Sequence, residues 1–118
     1  MFTAYGEGYV AVNHEKHSKN LILLPESIIL DWSAAIPATL AEADMRKLLE
    51  LGTEIVLLGT GSRLRFPPGA LLRPFAPAGI GLEVMDAQAA CRTYNILAAE
   101  GRKVAAAILF DQAADTAT

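Results

Sequence analysis

The chain has 118 residues, 53% hydrophobic and 19% charged, which is enough to bury the core of one domain without disulfides or a structural metal. A formal charge of −3 disfavours non-specific attraction to nucleic acid or to an anionic membrane surface. One cysteine excludes an internal disulfide, and the longest apolar run, Val104 to Phe110, is far short of the roughly 20 residues that span a bilayer.

Met1 to Gly6 has neither a basic region nor a long apolar stretch, and the first arginine is Arg46. A secretory signal or mitochondrial presequence is therefore not expected, and the expected location is cytoplasmic. Phe2 to Asn13 reads as a hairpin, with Gly6 and Gly8 at the turn and Tyr9 to Val12 as the return strand. His14 to Asn20 reads as a polar loop, and Leu21 to Leu24 as a strand stopped by Pro25. Ser27 to Trp32 reads as another strand, with Ile28, Ile29 and Leu30 too dense for a half-exposed edge.

Pro37 to Gly52 reads as the first helix, with Leu40, Met45, Leu48, Leu49 and Leu51 mostly to one side and Gly52 as the stop. Ile55 to Leu58 has no alternation, as in an interior parallel strand covered on both faces. A short helix is expected from about Gly69 to Phe75, and a strand at Leu82 to Met85. Asp86 is a good N-cap for a helix whose core face is Ala87, Ala90, Cys91, Tyr94, Leu97 and Ala98, ended by Gly101. Val104 to Phe110 reads as a buried strand. The expected architecture is a single α/β domain over residues 1–110, three-layered, with a mixed central sheet of about five strands, helices on one side and an N-terminal β-hairpin layer. Residues 111–118 are expected to form a flexible tail.

Candidate functional residues gather at two strand ends. Gly59-Thr60-Gly61-Ser62 follows an apolar strand, and its glycines and hydroxyls suit an anion or small ligand, or simply a tight turn. It is not a dinucleotide fingerprint, since the third glycine would fall at Leu64, and no P-loop Gly-Lys-Ser/Thr follows. If the two strands are neighbours, Thr60, Ser62, Asp86 and Gln88 line one cleft, although capping alone accounts for Asp86. Gln88, Arg92 and Asn95 form a polar stripe on the following helix. Arg63, Arg65 and Arg73 make a basic segment, flanked by Phe66 and Phe75, that suits an acidic partner. Cys91 reads as a buried structural thiol, and His14 and His17 lack the further ligands a metal needs. No metal or cofactor is expected.

The segments Gly59-Thr60-Gly61, Gly79 to Asp86, Ala90 to Leu97 and Glu100-Gly101-Arg102, with Tyr9, Leu24-Pro25 and Trp32, resemble a family of small uncharacterised α/β domains. That family includes a mitochondrial assembly factor for respiratory complex I and a mammalian adipogenesis-associated protein. The resemblance covers about Ile22 to Phe110 and implies a three-layer fold with a five-stranded mixed sheet and no established catalytic activity. With no nucleophile–base pair, metal cluster or cofactor motif legible, the reading leans away from an enzyme and toward a protein-interaction or assembly-factor-like module. On this reading the contact residues are Arg65, Arg92 and their neighbours, and the protein partner is unidentified. The alternative is a small-molecule or anion site, or an enzyme, at the Gly61–Asp86 cleft. Self-association through an exposed strand edge is a further option; nucleic acid and membrane insertion are not expected.

Overall fold

The computed structural model describes residues 1–111. The first layer is a three-stranded antiparallel sheet of β1 (Phe2–Gly6), β2 (Tyr9–Val12) and β3 (Glu15–His17). The β1–β2 turn needs Gly8, whose φ is +75°. β3 lies where a loop was expected. Its polar residues carry no strand pattern, and pairing with β2 (Val10 opposite His17, Val12 opposite Glu15) creates it.

The central layer is a five-stranded mixed sheet in the order β5 (Ser27–Leu30), β4 (Leu21–Leu24), β8 (Val104–Leu109), β6 (Ile55–Thr60), β7 (Gly81–Met85). β6 runs parallel to β7 and β8, while β4 is antiparallel to β8 and β5. The three layers and the five-stranded mixed sheet are as expected. Alternation along β8 divides the core in two: Val104, Ala106 and Ile108 face one cluster, and Ala105, Ala107 and Leu109 the other. The three-stranded sheet and α3 (Ala87–Ala99) cover the first face; α1 (Glu42–Leu49) and α2 (Gly69–Leu72) cover the second. Helices thus cover both faces of the sheet rather than the expected one, because Gly59 and the small-residue seam of Ala87 and Ala90 let α3 pack beside the three-stranded sheet.

Three elements differ from expectation. The first helix is split: a 3₁₀ turn at Pro37–Thr39 is followed by extended backbone at Leu40, and α1 then starts afresh, with the Asp44 carboxylate accepting the Ala41 N–H at 2.9 Å. α2 closes at Leu72 rather than near Phe75. β5 is an edge strand, not an interior one: all four of its residues are exposed, Leu30 by 55%. Apolar density alone does not separate an interior strand from an uncovered one.

Two asparagines clip the layers together. Asn20, buried, donates to the Ser33 and Ala35 carbonyls at 2.9 and 2.7 Å and accepts the Phe110 N–H at 2.9 Å. Asn95 on α3 accepts the Phe2 N–H at 2.9 Å and donates to the Phe2 carbonyl at 2.8 Å, so one side chain acts as a strand partner for β1. Beside it the buried Tyr94 and Phe2 rings meet edge to face at 5.5 Å. Asn95→Ala is expected to destabilise the domain by about 1–3 kcal/mol, because it orphans both Phe2 backbone groups. Urea denaturation checks this, and exchange of the Phe2 amide should quicken with it.

Candidate functional site

Of the sequence candidates, Gly59 to Ser62, Arg65 and Asp86 lie at the carboxyl ends of β6 and β7, whereas Arg92 and Asn95 lie farther along α3. The two strands are neighbours, with Gly59 opposite Met85, and the Ala87 N–H of α3 donates to the Gly61 carbonyl at 2.8 Å. An open cleft of about 700 Å³ lies there. Gly61, Ser62, Ala87, Gln88, Phe110 and Asp111 form one wall; the β1–β2 turn, from Tyr5 through Glu7 to Val10, forms the other with Ser18. The turn side was not foreseen, because it comes from the other sheet and nothing in its sequence points across.

Most of the predicted polar groups are engaged in holding the fold. Thr60 is fully buried; its hydroxyl lies 2.8 Å from the Arg63 carbonyl and accepts the Arg65 N–H at 3.0 Å. Asp86 caps α3 through the Ala89 N–H at 2.8 Å and does not line the cleft. Arg65 donates to the Thr60 carbonyl at 3.1 Å and pairs with Asp111 at 3.0 Å. Asn95 is occupied by Phe2. Of the helix stripe only Gln88 reaches the cleft; Arg92 is exposed beyond it.

The two loop glycines have separate steric causes. Gly59 sits where a Cβ would come within 3.1 Å of Ala87 Cα, Ala90 Cβ and Ile108 Cδ1, so α3 packs directly on β6. Gly61 has φ +90°, and a Cβ there would overlap the Asp111 carboxylate. Neither glycine requires an anion to explain it. Charge points the same way: among the described residues Glu7 and Asp111 line the cleft and no lysine or arginine does, with Asp111 paired to Arg65 behind it.

Cys91 is fully buried on the seam of α3, and its thiol is pushed up to about 12 by burial, against the opposing pull of Arg92. Such a thiol is not an activated nucleophile. Burial likewise pushes the Tyr94 phenol up to about 12.

Asp111, expected at the start of a flexible tail, instead latches the β6 loop: its carboxylate accepts the Ser62 N–H at 3.0 Å as well as the Arg65 bond. The rest of that expected tail lies outside the described residues. Partial burial raises the Asp111 carboxyl, but hydrogen bonds from Ser62 and Arg65 outweigh it and hold it below its ordinary value. A depressed folded-state value gives stability that is present above the unfolded value and lost as pH falls through the folded one. Removing the latch with Asp111→Asn is therefore expected to lower stability at pH 7 by about 1 kcal/mol or less, given solvent screening, with the difference from wild type vanishing in strong acid. Paired urea melts at pH 7 and below pH 3 check the sign.

Residues 2–109 match a family model described as a protein of unknown function, DUF498/DUF598. A 13 kDa major membrane protein of Francisella tularensis is 29% identical over 92% of this chain and 89% of its own. Among the described residues, no helix of the present chain is long and apolar enough to cross a membrane. The NADH dehydrogenase (ubiquinone) 1 alpha subcomplex assembly factor 3 of Bos taurus is 32% identical over 90% of this chain, which spans 58% of the bovine protein. Among solved structures, a Bordetella parapertussis protein superposes with a TM-score of 0.86 at 40% identity, covering 94% of this chain and 95% of that one. A Bordetella pertussis protein described as an Mth938-like domain gives a TM-score of 0.79 at 34% identity, covering 96% and 87%. With the family match running nearly end to end and the same fold in solved relatives, the chain belongs to the DUF498/DUF598 family.

Proposed function

We propose that this domain is a non-catalytic interaction module that holds a protein subunit during assembly of a larger complex, and that it works in the cytoplasm. The observation that carries this reading is the loop between β6 and α2. Phe66 is 70% exposed and Leu64 48%, with Arg63 and Arg73 also exposed nearby in the sequence. A large aromatic and a leucine held in water beside cations suit a partner segment that is apolar and acidic. Arg65, counted in the same surface by sequence, is better read as the loop's internal brace. The mammalian relatives named as assembly factors support the class of function. Cys91, solitary and buried, suits a reducing compartment.

Affinity capture from the host, with proteins identified, compares wild type with an Arg63→Glu/Phe66→Ser variant. Subunits of one complex should be recovered and fall by about tenfold or more in the variant, while the melting temperature holds within a few degrees. Equal recovery by a folded variant would show that the loop is not the contact surface.

A second reading rests on the cleft. Its acidic lining and two tyrosines favour a small neutral or cationic polar molecule over an anion. Amide chemical shifts of Gly61, Ser62 and Gln88 should move with a short diamine and stay still with inorganic phosphate; the reverse pattern would refute the sign of the site.

A further inference from the structure

We infer that β5 is a self-pairing edge, through which two copies of this chain join their five-stranded sheets across a twofold axis. β5 ends the sheet, and no strand of the described residues covers its outer side. Ile28, Ile29 and Leu30 are exposed by 36%, 39% and 55%, so both faces of the strand are apolar and open. Soluble proteins usually blunt such an edge with a lysine, a proline within the strand or a bulge. β5 is short, at four residues, but has none of these; its pairing with β4 is regular from Leu24–Ser27 to Leu21–Leu30.

The backbone shows which groups are available. Asp31 donates its N–H to the Asn20 carbonyl at 2.9 Å. Alternation in an antiparallel ladder then turns the N–H and C=O groups of Ser27 and Ile29 toward β4, and leaves those of Ile28 and Leu30 pointing outward.

The sequence matches a second copy of itself in one register. A twofold axis normal to an antiparallel pair must set one residue opposite its own copy, because side chains on opposed residues share a face. Centring on Ile29 sets Ile28 opposite Leu30 on both sides of the axis. Those residues carry the outward groups, so each pair exchanges two backbone hydrogen bonds, and Ile29 packs on Ile29 across the other face. β5 ends there, because Asp31 turns the chain with φ +53° and Trp32 is buried in the core, so the flanking acids Glu26 and Asp31 lie outside the paired strands. Centring on Ile28 or on Leu30 would leave only the central residue opposite an aliphatic partner, whereas the Ile29 register pairs all three. The apolar pattern therefore selects the Ile29 register. Its short strands put it at the weak end of specific interfaces.

The test is mass in solution, by light scattering and sedimentation, from low micromolar to near-millimolar protein. Wild type should rise toward twice its 12.6 kDa chain mass as concentration increases. Ile28→Pro removes an outward donor and leaves the β4 bonds in place, as edge strands tolerate. Ile29→Lys sets like charges face to face on the axis. Each variant should stay monomeric at every concentration with an unchanged circular dichroism spectrum, and should Ile28→Pro fail to fold, Ile29→Lys decides alone. Wild type that stays monomeric throughout, or a dimer that persists in folded Ile29→Lys, would overturn the proposal. So would Ile28 and Leu30 amides that are protected in monomeric wild type but exposed when the chain is cut after Asp111, since residues 112–118 would then be the occupant. None of these outcomes bears on the Arg63–Phe66 loop.

Discussion

The fold depends on how closely α3 can approach the sheet. A Cβ on Gly59 in β6 would crowd Ala87 and Ala90 at 3.1 Å and push α3 outward, and the facing seam of α3 continues through Cys91. Below it β8 supplies Ala106 on this face, and Ala105 and Ala107 on the other. Interiors pack at nearly crystalline density, so such a seam sets the helix position to a fraction of an ångström. That position has consequences at both ends of α3. Its N-terminus comes within hydrogen-bonding distance of the Gly61 carbonyl, which forms the cleft wall. Toward its C-terminal half, Asn95 meets Phe2 and binds the outer sheet to the central layers.

The same contacts explain why so many plausible functional residues are occupied. A loop at a strand end carries backbone groups that the sheet no longer pairs, and something must satisfy them. Here Thr60, Arg65 and Asp111 do so, with Asp86 serving the first turn of α3. Threonine, arginine and aspartate beside glycine therefore look like ligand chemistry in the sequence, yet they hold the loop in place. Among the described residues, the groups left in water include Leu64, Phe66, Ile96 and the β5 aliphatics, with Arg63, Arg73 and Arg92.

How far this was legible follows from range. The α3 pattern, its Asp86 cap and the unalternating β6 and β8 are local signals, and each is found where its period placed it. The proximity of Gly61 to α3 followed from strand-end logic alone. β3 was illegible because Glu15-Lys16-His17 becomes a strand only through its partner. The exposure of β5 was illegible because a strand beside β4 and a strand between two others have the same composition. The Arg65–Asp111 latch spans 46 positions, and the Asn95 clip 93, so no window of sequence contains either. The wall of the cleft given by Tyr5 to Val10 depends on how two sheets stack, which periodicity within a strand does not encode.

The exposed apolar groups are also placed so that they do not compete. β5 ends one edge of the sheet, whereas the Arg63–Phe66 loop leaves β6, beside the opposite edge strand β7, with β4 and β8 between. At about 4.8 Å per strand, three steps put roughly 14 Å between the β5 and β6 axes. A strand added to β5 would extend the sheet away from that loop and leave it uncovered. Two copies joined at β5 would thus carry two outward loops on one rigid sheet. A partner offering two matching segments would bind such a pair far more tightly than a single loop, because the second contact is intramolecular. Weak self-association and weak loop contacts, each modest alone, would then reinforce one another, in keeping with the interaction module proposed above.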